Sequence, residues 1–210
     1  ISLAPDTAST VISLGAGATT GFALTDAELN TLDATIVRIG DATTGAPWGG
    51  ASTGAITWTG AFAADSAFAT DLLALTTTST VTGTAGAIDL STSTSDLAVR
   101  AGGAVDLGTA AHDFNNIAVT TGASASAVTV NDTDDLTITT VDGLSGVVTG
   151  AGQIDVTAGA GGAGLLTVSQ AVTNTTASDI NLSGVGIDLD NGASSAVTTT
   201  GGTGNIEIDA

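Results

Sequence analysis

Short aliphatic alternations recur along the chain, most clearly in residues 97–157. Each unit places an aliphatic residue, a small or polar residue and a second aliphatic residue before Thr, Gly, Asp or Asn. A period of two is typical of a strand with one buried face. Two inward side chains bury too little surface for a strand to be stable alone, so the pattern predicts units that stack. The six copies are residues 97–99, 105–107, 117–119, 128–130, 136–138 and 154–156.

Two all-β architectures can hold such strands. An antiparallel sandwich or barrel needs hairpin turns, yet two-residue Asp-Gly and Asn-Gly signals flanked by alternating strands are confined to Asp142-Gly143 and Asn191-Gly192. A parallel β-helix fits better, with coils of roughly 20 residues that each supply two clear strands. We therefore predict an all-β parallel β-helix in which the six units form different faces of about three successive coils.

The first 71 residues are less regular than the rest. One short helix is predicted near residues 25–32, where Thr25 can cap the N-terminus and Glu28 can complete a capping box. Leu24, Leu29 and Leu32 would then face the body of the protein. We expect residues 1–71 to form irregular N-terminal coils and residues 72–210 to form regular ones, all within one continuous solenoid.

Aromatic residues are rare and are concentrated in the irregular part. Four of the six, Trp48, Trp58, Phe62 and Phe68, cluster within about twenty residues and can form either an exposed contact patch or a plug over one end or side of the rod. The second interpretation is the one we favour.

The composition restricts the possible functions. The 210 residues include 21 acidic residues but no Lys, and the only basic residues are Arg38 and Arg100, so the formal net charge is −19. Nucleic-acid binding needs Lys and Arg for phosphate contacts, and it is therefore not expected. We also expect no membrane insertion, because no apolar run approaches the length of a membrane span. The absence of Cys excludes disulfides and thiol chemistry.

Several stretches resemble the filamentous-haemagglutinin-like repeats of very large bacterial surface and secreted proteins. They are LTDAEL (residues 24–29), IVRIGD (36–41), GAIT (54–57), LAVRAGGAV (97–105), DFNNIAV (113–119), and residues 132–138 and 141–146. The resemblance implies a right-handed parallel β-helix, secretion or display on the cell surface, and an adhesive or scaffolding role. The near absence of Lys and Arg departs from many members and argues against heparin-like binding.

Few residues suggest chemistry. His112 is followed by Asp113, but the sequence has no Gly-x-Ser-x-Gly elbow that would supply the nucleophile of a hydrolase. We therefore expect His112 at a turn. Arg38 and Arg100 lie inside strand patterns, where each is expected to pair with a neighbouring Asp. Residues 131–135 (NDTDD) are the best candidate for calcium, but they lack the spacing of an EF-hand, and capping of turns is the preferred interpretation. Asn115, Asn116 and Asn174 are expected in turns, with amides that bond between coils.

The sequence therefore predicts no catalytic, cofactor-binding or metal-binding residues. The leading hypothesis is a structural or adhesive rod that belongs to a giant extracellular or cell-surface bacterial protein. Its expected partners are neighbouring β-helix segments or identical copies, joined end to end or laterally, with a cell-surface or carbohydrate receptor as a further candidate. The alternatives are a carbohydrate-acting β-helix enzyme and a calcium-stabilised adhesion module.

Overall fold

Two long parallel sheets account for most of the protein. The computed structural model describes residues 1–40, 53–63, 71–91, 96–122, 126–189, 196–200 and 203–210. The first sheet contains β1 (Ser2–Leu3), β4 (Ile36–Gly40), β7 (Leu72–Thr77), β10 (Asp96–Ala101), β12 (Asn116–Thr121), β14 (Leu136–Ile138), β17 (Val147–Thr149), β19 (Leu165–Val168), β20 (Val172–Asn174), β22 (Gly186–Leu189) and β23 (Val197–Thr199). The second contains β2 (Ile12–Leu14), β3 (Phe22–Leu24), β5 (Ile56–Trp58), β8 (Val81–Gly83), β11 (Val105–His112), β13 (Val128–Asp132), β18 (Ile154–Thr157), β21 (Ile180–Ser183) and β24 (Ile206–Asp209).

Four short strands lie outside these sheets. β6 (Phe62–Ala63) pairs in parallel with β9 (Ile88–Asp89), and β15 (Thr140–Val141) forms an antiparallel hairpin with β16 (Leu144–Ser145).

From β4 to β14 the chain alternates between the two sheets, and each return adds a strand parallel to and in register with the previous one. From β14 onward it adds two short strands to the first sheet for each strand that it adds to the second. We call one passage through both sheets a repeat. The first paired residues of successive strands in the second sheet are 23 to 26 residues apart from Ile56 to Ile206, slightly more than the predicted coil. The six sequence units fall alternately on the first and second sheets, so they form three successive repeats, as predicted.

The two sheets share one aliphatic core. Leu73, Leu97 and Ile117 stack in register in the first sheet, and all three are fully buried. Val105 and Val128 do the same in the second sheet and belong to the same cluster of buried side chains. This arrangement is compatible with a β-helix or solenoid, because each strand contributes only two or three inward side chains and the stack contributes the rest. Both sheets continue without a break past residues 71 and 72.

The N-terminal end of the core is covered by residues 22–34. The Thr25 Oγ1 accepts a hydrogen bond from the Glu28 backbone N–H at 3.3 Å, and the Glu28 carboxylate accepts one from the Thr25 N–H at 2.9 Å. The predicted capping box is therefore confirmed. The helix α1 (Asp26–Leu29) begins directly after the predicted cap Thr25 but ends at Leu29, before the predicted residue 32. Residues 22–24, which precede the cap, form β3 and pair with the edge of β2. Leu29 is buried in the core, and Leu24 packs against it.

The C-terminal end presents its inward side chains to solvent. Ile206 and Ile208 are each 44% exposed, although their partners one repeat earlier, Ile180 and Leu182, are 0% and 1% exposed. Leu189 in the first sheet is 43% exposed in the same way. In the part of the chain that the structure describes, no further strand or helix covers this last layer.

A large residue and a missing side chain compensate for each other in the core. Trp58 is 1% exposed and lies in register with Gly83 on the next repeat. A Cβ on Gly83 would lie 2.5 Å from the indole ring, and the indole Nε1 donates a hydrogen bond to the Gly86 carbonyl at 3.0 Å. Trp58 is thus a core residue. Phe62 lies in β6, and Trp48 and Phe68 fall outside the described residues.

This compensation can be tested by a double-mutant cycle. We expect Gly83→Ala to destabilise the protein by about 1–3 kcal/mol, because the new methyl group overlaps the indole. In a Trp58→Leu background the same change should cost much less. The free energy of unfolding in urea measures both effects. Gly186→Ala is the control, since its Cβ meets only the Leu165 side chain at 3.3 Å. Equal costs in both backgrounds would contradict the packing argument.

Candidate functional site

Both arginines of the chain bind one carboxylate. The Arg38 Nη2 donates to Asp142 Oδ1 at 2.5 Å, and the Arg100 Nη1 donates to Oδ2 at 3.0 Å. A second nitrogen of Arg100 donates to the Asp142 backbone carbonyl. The side chains of Arg38, Arg100 and Asp142 are 20%, 9% and 14% exposed. Each arginine was expected to pair with a neighbouring Asp, but the partner lies 104 and 42 residues away in the chain.

Asp142 is placed by a tight turn. Asp142 and Gly143 have φ values of +48° and +76° and join β15 to β16. Two consecutive left-handed residues are typical of the Asp-Gly hairpin turn, and Asp tolerates this conformation better than most side chains. The Asp-Gly signal in the sequence predicts a hairpin turn here, whereas the sequence does not show that Arg38 and Arg100 bind Asp142.

His112 lies inside the protein and not at an exposed turn. It ends β11, is fully buried, and lies between the rings of Trp58 and Phe114, each with its centroid 6.0 Å from that of the imidazole. Its Nδ1 accepts a hydrogen bond from the Ile88 N–H at 2.8 Å, so the proton of the neutral ring lies on Nε2. Nε2 has no hydrogen-bond partner among the described residues. Burial lowers the pKa of His112 to about 4, against the opposing effects of the Asp106 charge and the Leu107 backbone.

Asp132 is the in-register partner of His112 on the next repeat and is also fully buried. Its carboxylate accepts hydrogen bonds from the backbone N–H groups of Phe114 and Asp134, each at 3.2 Å. Burial raises the pKa of Asp132 to about 7; these two hydrogen bonds oppose the rise, and the charges of Asp134 and Asp113 add to it. The pKa of Asp113 is also raised, first by burial and then by the charges of Asp134 and Asp89.

The predicted calcium candidate comprises the last two residues of β13 and the bend that follows it, and the carboxylates of Asp132 and Asp135 accept hydrogen bonds from backbone N–H groups. Asp132 faces the core, and Asp135 accepts a hydrogen bond from the Leu165 N–H at 2.7 Å. Among the described residues no three His, Asp or Glu side chains are grouped so that they could hold a metal ion. These contacts are those of a turn that fixes the next repeat, which agrees with the preferred interpretation.

Two asparagines connect successive repeats through hydrogen bonds. The Asn116 amide donates to the Asp96 carboxylate at 2.7 Å, and the buried Asn174 amide donates to the Gly152 carbonyl at 2.7 Å. Asn174 is flanked in register by Thr149 and Thr199 and not by other amides. The predicted hydrogen bonds between successive repeats are therefore present, but Asn116 and Asn174 lie in β12 and β20 and not in turns, and their amides do not form a ladder.

Comparison with known proteins adds no relative: no family model, no curated protein and no solved structure matches the chain. Among the described residues no helix has the length and apolarity needed to cross a membrane.

The buried His112 and Asp132 give a test by pH. The folded-state pKa of His112 lies below the unfolded value, so its contribution to stability is complete above pH 6.5 and is lost as the pH falls toward 4. Asp132 behaves oppositely: its contribution is present below pH 3.8 and is lost as the pH rises toward 7. The two slopes, each about 1.4 kcal/mol per pH unit, should largely cancel between these limits.

Removing either group should reveal the other. Relative to the parent protein, we expect Asp132→Asn to gain stability as the pH rises from 4 to 6.5, and His112→Gln to lose stability over the same range. Urea unfolding at several pH values measures the free energy of unfolding of each variant minus that of the parent. The contribution of the other acidic groups is common to both proteins and cancels in this difference. Exposed Asp6 supplies the control variant Asp6→Asn. Stability curves of both variants that run parallel to that of the parent would contradict the assignment.

Proposed function

We propose that the chain is a structural segment of an extracellular or cell-surface bacterial protein, a rod built as a right-handed parallel β-helix that lengthens by stacking further coils on its C-terminal layer. The resemblance to filamentous-haemagglutinin-like repeats supports the setting and the handedness. The open last layer is the observation that carries the stacking role.

The side chains of this layer support an occupant that resembles the repeats below it. Ile206, Ile208 and Leu189 continue the inward columns of the core, so a coil with aliphatic residues at the same register would bury them as Ile180 and Leu182 are buried. The unpaired edges of β24 and β22 offer backbone groups in the pattern already used between repeats. A coil of the same kind therefore fits, and a second copy of this chain supplies one.

Charge sets the conditions for stacking. The last layer carries the exposed Asp188, Glu207 and Asp209, and the chain has a formal charge of −19. Two such surfaces repel each other, and salt screens this repulsion over distances of about 10 Å at 0.1 M. Stacking should therefore be favoured by ionic strength, while apolar burial supplies the attraction.

The engagement of both arginines favours a structural role over a carbohydrate-acting enzyme. A lyase or glycosidase on a β-helix uses carboxylates and basic residues together on an outer face. Here Arg38 and Arg100 are both directed to Asp142, with side chains mostly removed from solvent. The contacts of Asp132 and Asp135 with backbone N–H groups likewise favour a turn over a calcium-stabilised module.

End-to-end assembly should be visible in solution. We expect two copies to associate through their C-terminal layers, because residues 22–34 cover the N-terminal layer. The fraction of dimer should therefore grow with protein concentration and with salt, as measured by sedimentation velocity. Replacing Ile206 and Ile208 together by Gln should lower the association constant by roughly tenfold or more, since each buried Ile contributes about 1.5–3 kcal/mol.

Thr129→Gln is the matched control, because Thr129 lies on the outward side of a central strand. It should assemble like the parent protein. A parent chain that stays monomeric at high concentration and high salt, or a double variant that assembles as well as the parent, would overturn the proposal.

A further inference from the structure

The hairpin of β15 and β16 interrupts a strand of the first sheet. Ile117 on β12 pairs with Ile138, but Val119, two residues later on the same strand, pairs with Val147. The chain leaves the sheet after Ile138 and returns at Val147, and the excursion is closed by a hydrogen bond of 2.9 Å from the Gly146 N–H to the Thr139 carbonyl. Residues 139–146 are thus an insertion into one repeat.

The insertion folds back over the outside of the first sheet. Val141 is 2% exposed and packs on Ala74, Ala98 and Ala118, which stand in one in-register row on β7, β10 and β12. These alanines are at most 1% exposed although they point away from the main core. Corresponding outward positions of the second sheet carry Thr or Asp, as at Thr129 and Asp155. Small apolar residues at this row leave room for the hairpin.

Arg38 and Arg100 extend this contact. Arg38 on β4 is the in-register partner of Ala74 and so continues the alanine row, and Arg100 lies on β10. The hairpin belongs to the repeat of β14 and β17, which is separated from β4 by β12, β10 and β7. A single carboxylate therefore connects strands that are four positions apart in the sheet.

We propose that residues 139–146 are a clamp that makes β4 to β17 one cooperative unfolding unit. In a stacked array each repeat ordinarily contacts only its neighbours, so terminal repeats can open independently. The ionic contacts of Asp142 with Arg38 on β4 and Arg100 on β10, together with the apolar contacts of Val141, connect the hairpin to strands that are not its neighbours in the sheet. The stability of these strands is therefore coupled to that of the hairpin. Opening β4 alone then breaks the contact with Asp142 as well as the ladder to β7. This clamp is a property of the single chain and does not depend on end-to-end assembly.

Native-state hydrogen exchange tests the clamp. We expect Asp142→Asn to raise the exchange rates of amides in β4 and β7 by roughly tenfold or more, the scale of a hydrogen bond to a charged group. Amides of β21, beyond the hairpin, should be unaffected. Asn keeps the left-handed turn conformation accessible, so the charge is removed without loss of the hairpin.

Two further variants complete the test. Arg38→Gln should reproduce the effect on β4 and β7, and combined with Asp142→Asn it should add less than the sum of the single changes. Asp188→Asn on exposed β22 removes the same charge outside the clamp and should leave β4 and β7 unchanged. Faster exchange confined to residues 139–146, or an equal rise in β21, would overturn the proposal.

Discussion

Every strand of this protein depends on the strands on either side of it in the stack. Most strands are two to six residues long and place only two or three side chains inward, so neither a hairpin nor a single repeat could form a core. Parallel, in-register pairing solves this by aligning Leu73 with Leu97 and Val105 with Val128, so that each side chain is covered by its counterpart in the next repeat. The same constraint applies at the ends: β3 and α1 cover the N-terminal layer, whereas no strand or helix among the described residues covers the last layer.

Much of this architecture could be read from the sequence, because the stacking leaves a local signature. The alternation of aliphatic and polar residues gave the strand positions, and the scarcity of Asp-Gly and Asn-Gly turns favoured parallel over antiparallel pairing. Thr25 and Glu28 predicted the start of the helix, since a capping box requires only two suitable residues three positions apart. The pairing of residues 22–24 with β2 has no such local signature, because only the tertiary structure places another strand beside that edge of β2.

The clamp and the polar interior could not be predicted, since both depend on register. The position of His112 is set by an irregularity within β11. Four residues separate Leu107 from His112, whereas one residue separates their partners Val130 and Asp132, so that His112 falls opposite Asp132. A strict alternation of inward and outward residues along β11 would not place His112 opposite Asp132. Similarly, the alanines at 74, 98 and 118 look ordinary one at a time and acquire meaning only when aligned in one row under the hairpin. Gly83 is understood only once Trp58 is known to lie beside it.

The inserted hairpin also changes the mechanics of everything that follows it. Before the insertion the first sheet is a continuous ribbon, with six residues in each of β7, β10 and β12. After it the sheet continues as two narrow ribbons, β14 to β19 and β17 to β20, with strands of three or four residues. Because each later strand pairs in register with the one before it, the gap between the two ribbons continues through the later repeats. A sheet divided in this way has fewer continuous hydrogen-bonded rows across its width, so we expect the part of the molecule before the hairpin to resist bending more than the part after it.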